Sequence, residues 1–184
     1  MISSEGWLDA AVRCPSPNFN SRPSGQEISL VVIHNISLPP GEFGTGCVND
    51  FFCNQLDSAR HPYFASIAEL KVSAHLFIDR SGQVTQFVPF AARAWHAGAS
   101  VFKGVENCND YSIGIELEGC DDIAYTEAQY SALAIVTRQL LQAYPEISRE
   151  QIVGHCDIAP GRKTDPGAAF DWSRYHFLLT SECE

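Results

Sequence analysis

The chain has 184 residues, 45% hydrophobic and 18% charged, with a formal net charge of -10. That length and balance point to one compact domain with a real core and exclude a disordered chain. The acidic charge, with no basic run anywhere, argues against a nucleic-acid or anionic-membrane partner, because phosphate surfaces are held by clustered Lys and Arg.

Residues 1–27 are polar and turn-rich and read as a loop-rich lead-in to a domain that spans 1–184. An acid at Glu5 and the lack of an apolar core in MISSEGWLDAAVRCPSPNFN speak against a secretory signal. No stretch approaches the roughly 18 continuous apolar residues of a membrane span. The seven cysteines are an odd number, which suggests free thiols in a reducing compartment. All but Cys156 read as small buried hydrophobes.

SLVVIH (29–34) is a short apolar run rich in β-branched residues, the pattern of a strand buried on both faces. His34 ends it, and ISLPPGEFGTG follows as a loop able to wall a pocket. Apolar residues at 48, 51, 52, 56 and 59 predict an amphipathic helix over 48–59. VSAHLFID (72–79), a turn at Arg80–Ser81–Gly82 and QVTQFVPF (83–90) predict a hairpin. AARAWHAG (91–98) reads as a connection. SIGIELEG (112–119) alternates with period two, so Ile113, Ile115 and Leu117 share one face and Gly114, Glu116 and Glu118 the other. A long helix over 126–144 opens on a capping box, Thr126 with Gln129. QIVGH (151–155) is a strand after it, and this strand–helix–strand order suggests a crossover with parallel pairing. A last helix with Asp171 as its N-cap covers AFDWSRYHFLL.

The chemistry concentrates in GHCDIAPGRKTDPG (154–167), a loop marked by two prolines and two further glycines. His34 and His155 both end apolar strands, and ligands of α/β sheets bind beyond the carboxyl ends of strands. With Asp165 they make a set of two histidines and one carboxylate, which suits a catalytic zinc with one open position and also suits non-haem iron. Cys156 is a rival ligand. Glu116 lies in a strand that reads as central, where an unpartnered carboxylate is costly to bury. It is the candidate general base, whereas Glu118 reads as part of a solvated face. Lys163 shares the loop with Asp165 and could stabilise an oxyanion. His75 reads as a core histidine, His61 and His176 as structural or surface residues. His96 is left open between pocket wall and plain surface.

The segments VVIHNISLPPGEFG, VSAH, AWHAG, CNDYSIGIELEG, YPEI, GHCDIAPGRKTDPG and FDW resemble the 1,6-anhydro-N-acetylmuramoyl-L-alanine amidases of the AmpD type. These belong to a superfamily with phage-lysozyme-type zinc amidases and peptidoglycan-recognition proteins. The resemblance implies an α/β fold: a single domain with a mixed central β-sheet, flanking α-helices and a zinc site in an open groove at strand ends. It assigns His34, His155 and Asp165 to Zn2+, Glu116 to the catalytic carboxylate and Lys163 to the cation that supports the tetrahedral intermediate. Asn35 and Trp95 match groove-lining positions. Lys71 and Asn107 stand where the family has arginines near the substrate peptide; a lysine offers a point charge without the bidentate fork, and an asparagine offers no charge. The implied reaction is hydrolysis of the amide between (1,6-anhydro-)N-acetylmuramic acid and L-alanine of a muropeptide, by a cytoplasmic monomer that serves peptidoglycan recycling. A recognition protein that grips muropeptides without cutting them, and an iron oxygenase, are the competing readings. The complete ligand set weighs against the first and the loop lysine against the second.

Overall fold

The computed structural model describes residues 1–180, so Cys183 lies outside the described residues. The strands are β1 (Val12–Arg13), β2 (Phe19–Ser21), β3 (Leu30–Ile36), β4 (Leu76–Ile78), β5 (Val84–Gln86), β6 (Ala92–Ala94), β7 (Val101–Phe102), β8 (Val105–Glu106), β9 (Ser112–Glu118) and β10 (Ile152–Gly154). The helices are α1 (Cys47–Phe52), α2 (Pro62–Ile67), α3 (Glu127–Ala143), α4 (His155–Ile158) and α5 (Trp172–Thr180). Six strands form one mixed sheet in the order β1-β5-β4-β9-β3-β10. Only the β4–β5 hairpin in it is antiparallel. No helix among the described residues is long and apolar enough to cross a membrane.

Alternation along β3 and β9 decides which face carries chemistry. Val31, Ile33, Ile113, Ile115 and Leu117 join Leu133 and Leu140 of α3 and Tyr175 of α5 in the largest apolar cluster. That helical layer closes one face of the sheet. α3 starts where the sequence places it, with Thr126 and Gln129 in a reciprocal cap, a device worth about 1 kcal/mol. The other side chains of β9, Ser112, Gly114 and Glu116, point to the opposite face. So does His34, which pairs in register with Glu116 on the neighbouring strand.

Five expectations are corrected. The helix expected over 48–59 spans only Cys47–Phe52, because Asn54 takes a left-handed conformation (φ 58°) that a helix cannot continue through. The lead-in, expected to hold no strong element, carries two short strands: β1 joins the sheet edge and β2 pairs with β6. The hairpin strands are shorter than drawn, three residues each. β9 and β10 are parallel but not neighbours, since β3 lies between them. Finally, Glu118 is buried, not solvated: it accepts the backbone N–H groups of Gly44 (2.5 Å) and Arg80 (3.1 Å) and so ties the 37–46 loop to the sheet.

Candidate metal centre

β3 delivers His34, and β10 ends one residue before His155, which opens the one-turn α4 rather than closing the strand. His34 does not end its strand as expected, because β3 runs on to Ile36; the parallel pairing sets Gly154, the last residue of β10, opposite Ile33 and so brings His155 beside His34. The chain then returns through 159–165, and the N–H of Cys156 donates to the Asp165 carbonyl (2.9 Å), which holds Asp165 against the start of α4. Three atoms converge as a result. His34 Nδ1 lies 2.9 Å from His155 Nδ1 and 3.1 Å from Asp165 Oδ2, and His155 Nδ1 lies 3.0 Å from the same oxygen. His34, His155 and Asp165 are a group whose geometry can hold a metal ion.

The donor chemistry fits a metal. His155 turns its Nε2 to the Ala97 carbonyl (3.1 Å), which can only accept a hydrogen bond, so a neutral His155 carries its proton there. Its Nδ1 is then a lone pair aimed at the Asp165 carboxylate. Electron-rich atoms packed at such distances repel unless positive charge lies among them, and a divalent cation supplies it to all three. Burial pushes the His34 pKa down to about 4, against the pull of Asp165, and a neutral imidazole is the form that ligates. Cys156 is no rival: it is outside this cluster, and burial with Asp157 beside it raises its thiol pKa.

The centre opens into a cavity of about 590 Å³. Asn35, Trp95, Glu116 and Lys163 line it with the three ligand residues, and Leu38, Phe51, Tyr63 and Ile67 give it an apolar wall. Asn35 donates to Asp121 (2.9 Å) and the Trp95 indole N–H to Asn20 (2.7 Å), so both are fixed. Lys71 lies between two lining residues, Leu70 and Val72, without lining the cavity itself. Asn107 sits outside it, exposed and left-handed (φ 58°) just after β8. Glu116 is buried with Oε2 lacking a hydrogen-bond partner. Burial and the nearby Asp165 charge raise its pKa well above the ordinary value, and Lys163 opposes them only in part.

Two further residues join the site, and only the first of them went unmarked in the sequence. Arg162 donates to the carbonyls of Ala97 (2.6 Å) and Ala99 (2.7 Å) and lines the cavity. His96, whose place the sequence left open, is buried in the site, with Nδ1 2.9 Å from His34 Nε2. His75 is the core histidine expected: it accepts from the Gly114 N–H (3.0 Å) and donates to the Ala92 carbonyl (3.1 Å).

Burying neutral histidines makes stability depend on pH. Burial lowers the pKa of His34 to about 4, of His75 to about 3 and of His96 well below its ordinary value. In the unfolded chain they titrate near ~6.5. As pH falls from there, the unfolded chain binds three protons that the folded chain does not, each worth about 1.4 kcal/mol per pH unit. Glu116 acts in the opposite sense, because its raised carboxyl stays protonated in the folded chain, and three against one leaves a net loss. The denaturant midpoint of metal-free protein is expected to fall steadily from about pH 6.5 to about pH 4. A flat midpoint would contradict the neutral buried state.

Comparison with known proteins gives a consistent picture. A family model described as N-acetylmuramoyl-L-alanine amidase matches residues 24–168. The chain is 55% identical, over 99% of its length and 99% of the relative's, to the Escherichia coli 1,6-anhydro-N-acetylmuramyl-L-alanine amidase AmpD. A crystal structure of a selenomethionine derivative of AmpD superposes with a TM-score of 0.94 at 56% identity, covering 98% of this chain and 100% of that one. AmpDh3 of Pseudomonas aeruginosa, solved in complex with an anhydromuramic pentapeptide, is 26% identical with a TM-score of 0.62, over 97% of this chain and 66% of that one.

Proposed function

The chain belongs to the N-acetylmuramoyl-L-alanine amidase family, and from that premise we propose that it hydrolyses the amide joining (1,6-anhydro-)N-acetylmuramic acid to L-alanine in muropeptides, as a zinc enzyme of peptidoglycan recycling. The observation that carries the proposal is the convergence of His34, His155 and Asp165 on one point, at the floor of an open cavity that also holds an unpartnered buried carboxylate. His34, His155 and Asp165 would hold a zinc ion, which would supply Lewis acidity for the amide carbonyl and the attacking water.

The chain's own residues supply the rest. In its ionised form, which Lys163 and a cation held at the three ligands would favour, Glu116 takes the proton of the water and hands it to the leaving nitrogen of L-alanine. Its buried setting then helps it hold that proton until it is delivered. Lys163 faces the same cavity and places its positive charge near the oxygen where negative charge develops. Asn35 and Trp95 shape the groove. Lys71, and Asn107 further off, stand where charge for the acidic end of the peptide would come from, with one arginine fork lost and one charge absent. The proposal keeps a cytoplasmic monomer with no nucleic-acid or membrane partner, and the free cysteines among the described residues suit a reducing compartment.

Product masses test the reaction directly. Incubation with an anhydro-muropeptide is expected to give the intact anhydro-sugar with a free lactyl carboxyl and a peptide with a free L-alanine amine. Cleavage at any other bond, or tight binding without cleavage, would overturn the proposal.

A further inference from the structure

The amidase reading explains the three ligands and Glu116, but not why a third histidine is buried against the site. His96 makes no contact with Asp165 or His155 among its hydrogen bonds. It lies edge-on to His34, with the rings 5.0 Å apart at 86°. Its Nδ1 is 2.9 Å from His34 Nε2, and its own Nε2 is 3.1 Å from Ser112 Oγ. The fold makes room for it at some cost: a Cβ on Gly114 would lie 2.4 Å from His96 Cγ, so only glycine at that point of β9 admits the ring. Asn109 Oδ1 then accepts the backbone N–H groups of both His96 (3.0 Å) and Ala97 (2.8 Å), which locks the dipeptide in place.

This row of His34, His96 and Ser112 admits two proton arrangements. In one, His34 Nε2–H donates to His96 Nδ1 and His96 Nε2–H donates to Ser112 Oγ. In the other, Ser112 donates to His96, His96 donates to His34 Nε2, and the His34 proton sits on Nδ1. Only the first leaves Nδ1 as a lone pair at the point where Asp165 and His155 converge. We infer that His96 is a positioning residue of the metal centre: by accepting the His34 Nε2–H, it fixes His34 in the tautomer and orientation that ligate through Nδ1. The neighbouring Ala97 carbonyl does the same for His155 Nε2–H. It is itself held by Arg162, so residues 96 and 97 aim both ligand imidazoles. The inference rests on the amidase reading only in taking His34 and His155 as ligands.

Zinc affinity, measured by competition with a chelating dye, tests it on the parent, His96→Phe, His96→Asn and Ser112→Ala. Phe keeps a ring over Gly114 but offers no acceptor, and Asn places Oδ1 near the position of Nδ1. His96→Phe is expected to weaken zinc binding about 10–100-fold, the usual effect of losing the partner behind a metal-bound histidine. His96→Asn is expected to restore most of that loss, whereas a role in packing alone would not be rescued by the smaller polar residue. Ser112→Ala, which leaves the ring in place and removes only its proton acceptor, is expected to weaken binding by less and serves if His96→Phe does not fold. Parent-like zinc affinity in His96→Phe, or, should that variant not fold, in Ser112→Ala, overturns the inference and leaves the amidase reading standing. So does a His96→Asn no better than His96→Phe. A parent that binds no zinc overturns both.

Discussion

Replacing Glu116 with Gln is expected to lower turnover of an anhydro-muropeptide by ~10²–10⁴-fold while zinc content stays at the parent level. The loss corresponds to about 3–5 kcal/mol of transition-state stabilisation. Gln keeps the shape of the side chain and removes its ability to accept and release a proton. Glu116 is not among the three convergent ligands, so the metal remains. The variant is also expected to be as stable as the parent or more so. The side chain is buried with Oε2 unpartnered, and holding it ionised for its role as a base costs desolvation and repulsion from Asp165; a neutral amide avoids that cost. A gain in stability with a loss of activity is the pattern of a group kept for chemistry. Steady-state kinetics beside a denaturation curve read both, and parent-like turnover would remove Glu116 from the mechanism.

Asp165→Asn addresses the other half of the site and acts on binding. The three side chains bring one negative charge to a dication, two neutral imidazoles and a carboxylate. Asn removes that charge and points an N–H₂ group or a weak carbonyl donor at the two Nδ1 atoms, where it can hydrogen-bond and fill the place of the ion. Zinc affinity is expected to fall by at least ~100-fold, beyond the usual effect of disturbing a residue behind the ligands. Activity falls with it and returns only in part at high zinc. Equilibrium dialysis followed by elemental analysis gives the stoichiometry, and full zinc occupancy of Asp165→Asn at the parent's free-metal concentration would contradict the assignment of Asp165 as a ligand.

The parts of the site that were legible in the sequence are those set by local patterning. The β-branched run before His34, the period-two alternation around Glu116 and the capping box at Thr126 are local signals, and the elements they mark formed with small shifts. The alternation also told which side chains of β9 leave the helical core, and that face is where the centre lies. What stayed illegible depends on strands meeting across long separations. No spacing says that β3 inserts between β9 and β10, yet that insertion sets His34 opposite Glu116 and beside His155. His96 meets His34 across 62 residues of chain, and the only local trace is Gly114, a missing side chain where the ring needs space. Arg22 was hidden for the same reason: in a lead-in without periodic signal, it donates to the backbone carbonyls of Phe90, Asn109, Asp110 and Ser112 and so braces the strand that carries Glu116. The short α1 shows the reverse case, in which one left-handed Asn54 outweighs a helical spacing of apolar residues.

Zinc-dependent recovery of activity tests the central claim most directly. Protein stripped by a chelator and titrated with Zn2+ is expected to regain cleavage of the anhydromuramoyl–L-alanine amide in proportion to bound metal, reaching a plateau at one ion per chain. Cleavage that persists at full rate in metal-free protein, or a plateau reached without zinc bound at His34, His155 and Asp165, would contradict it.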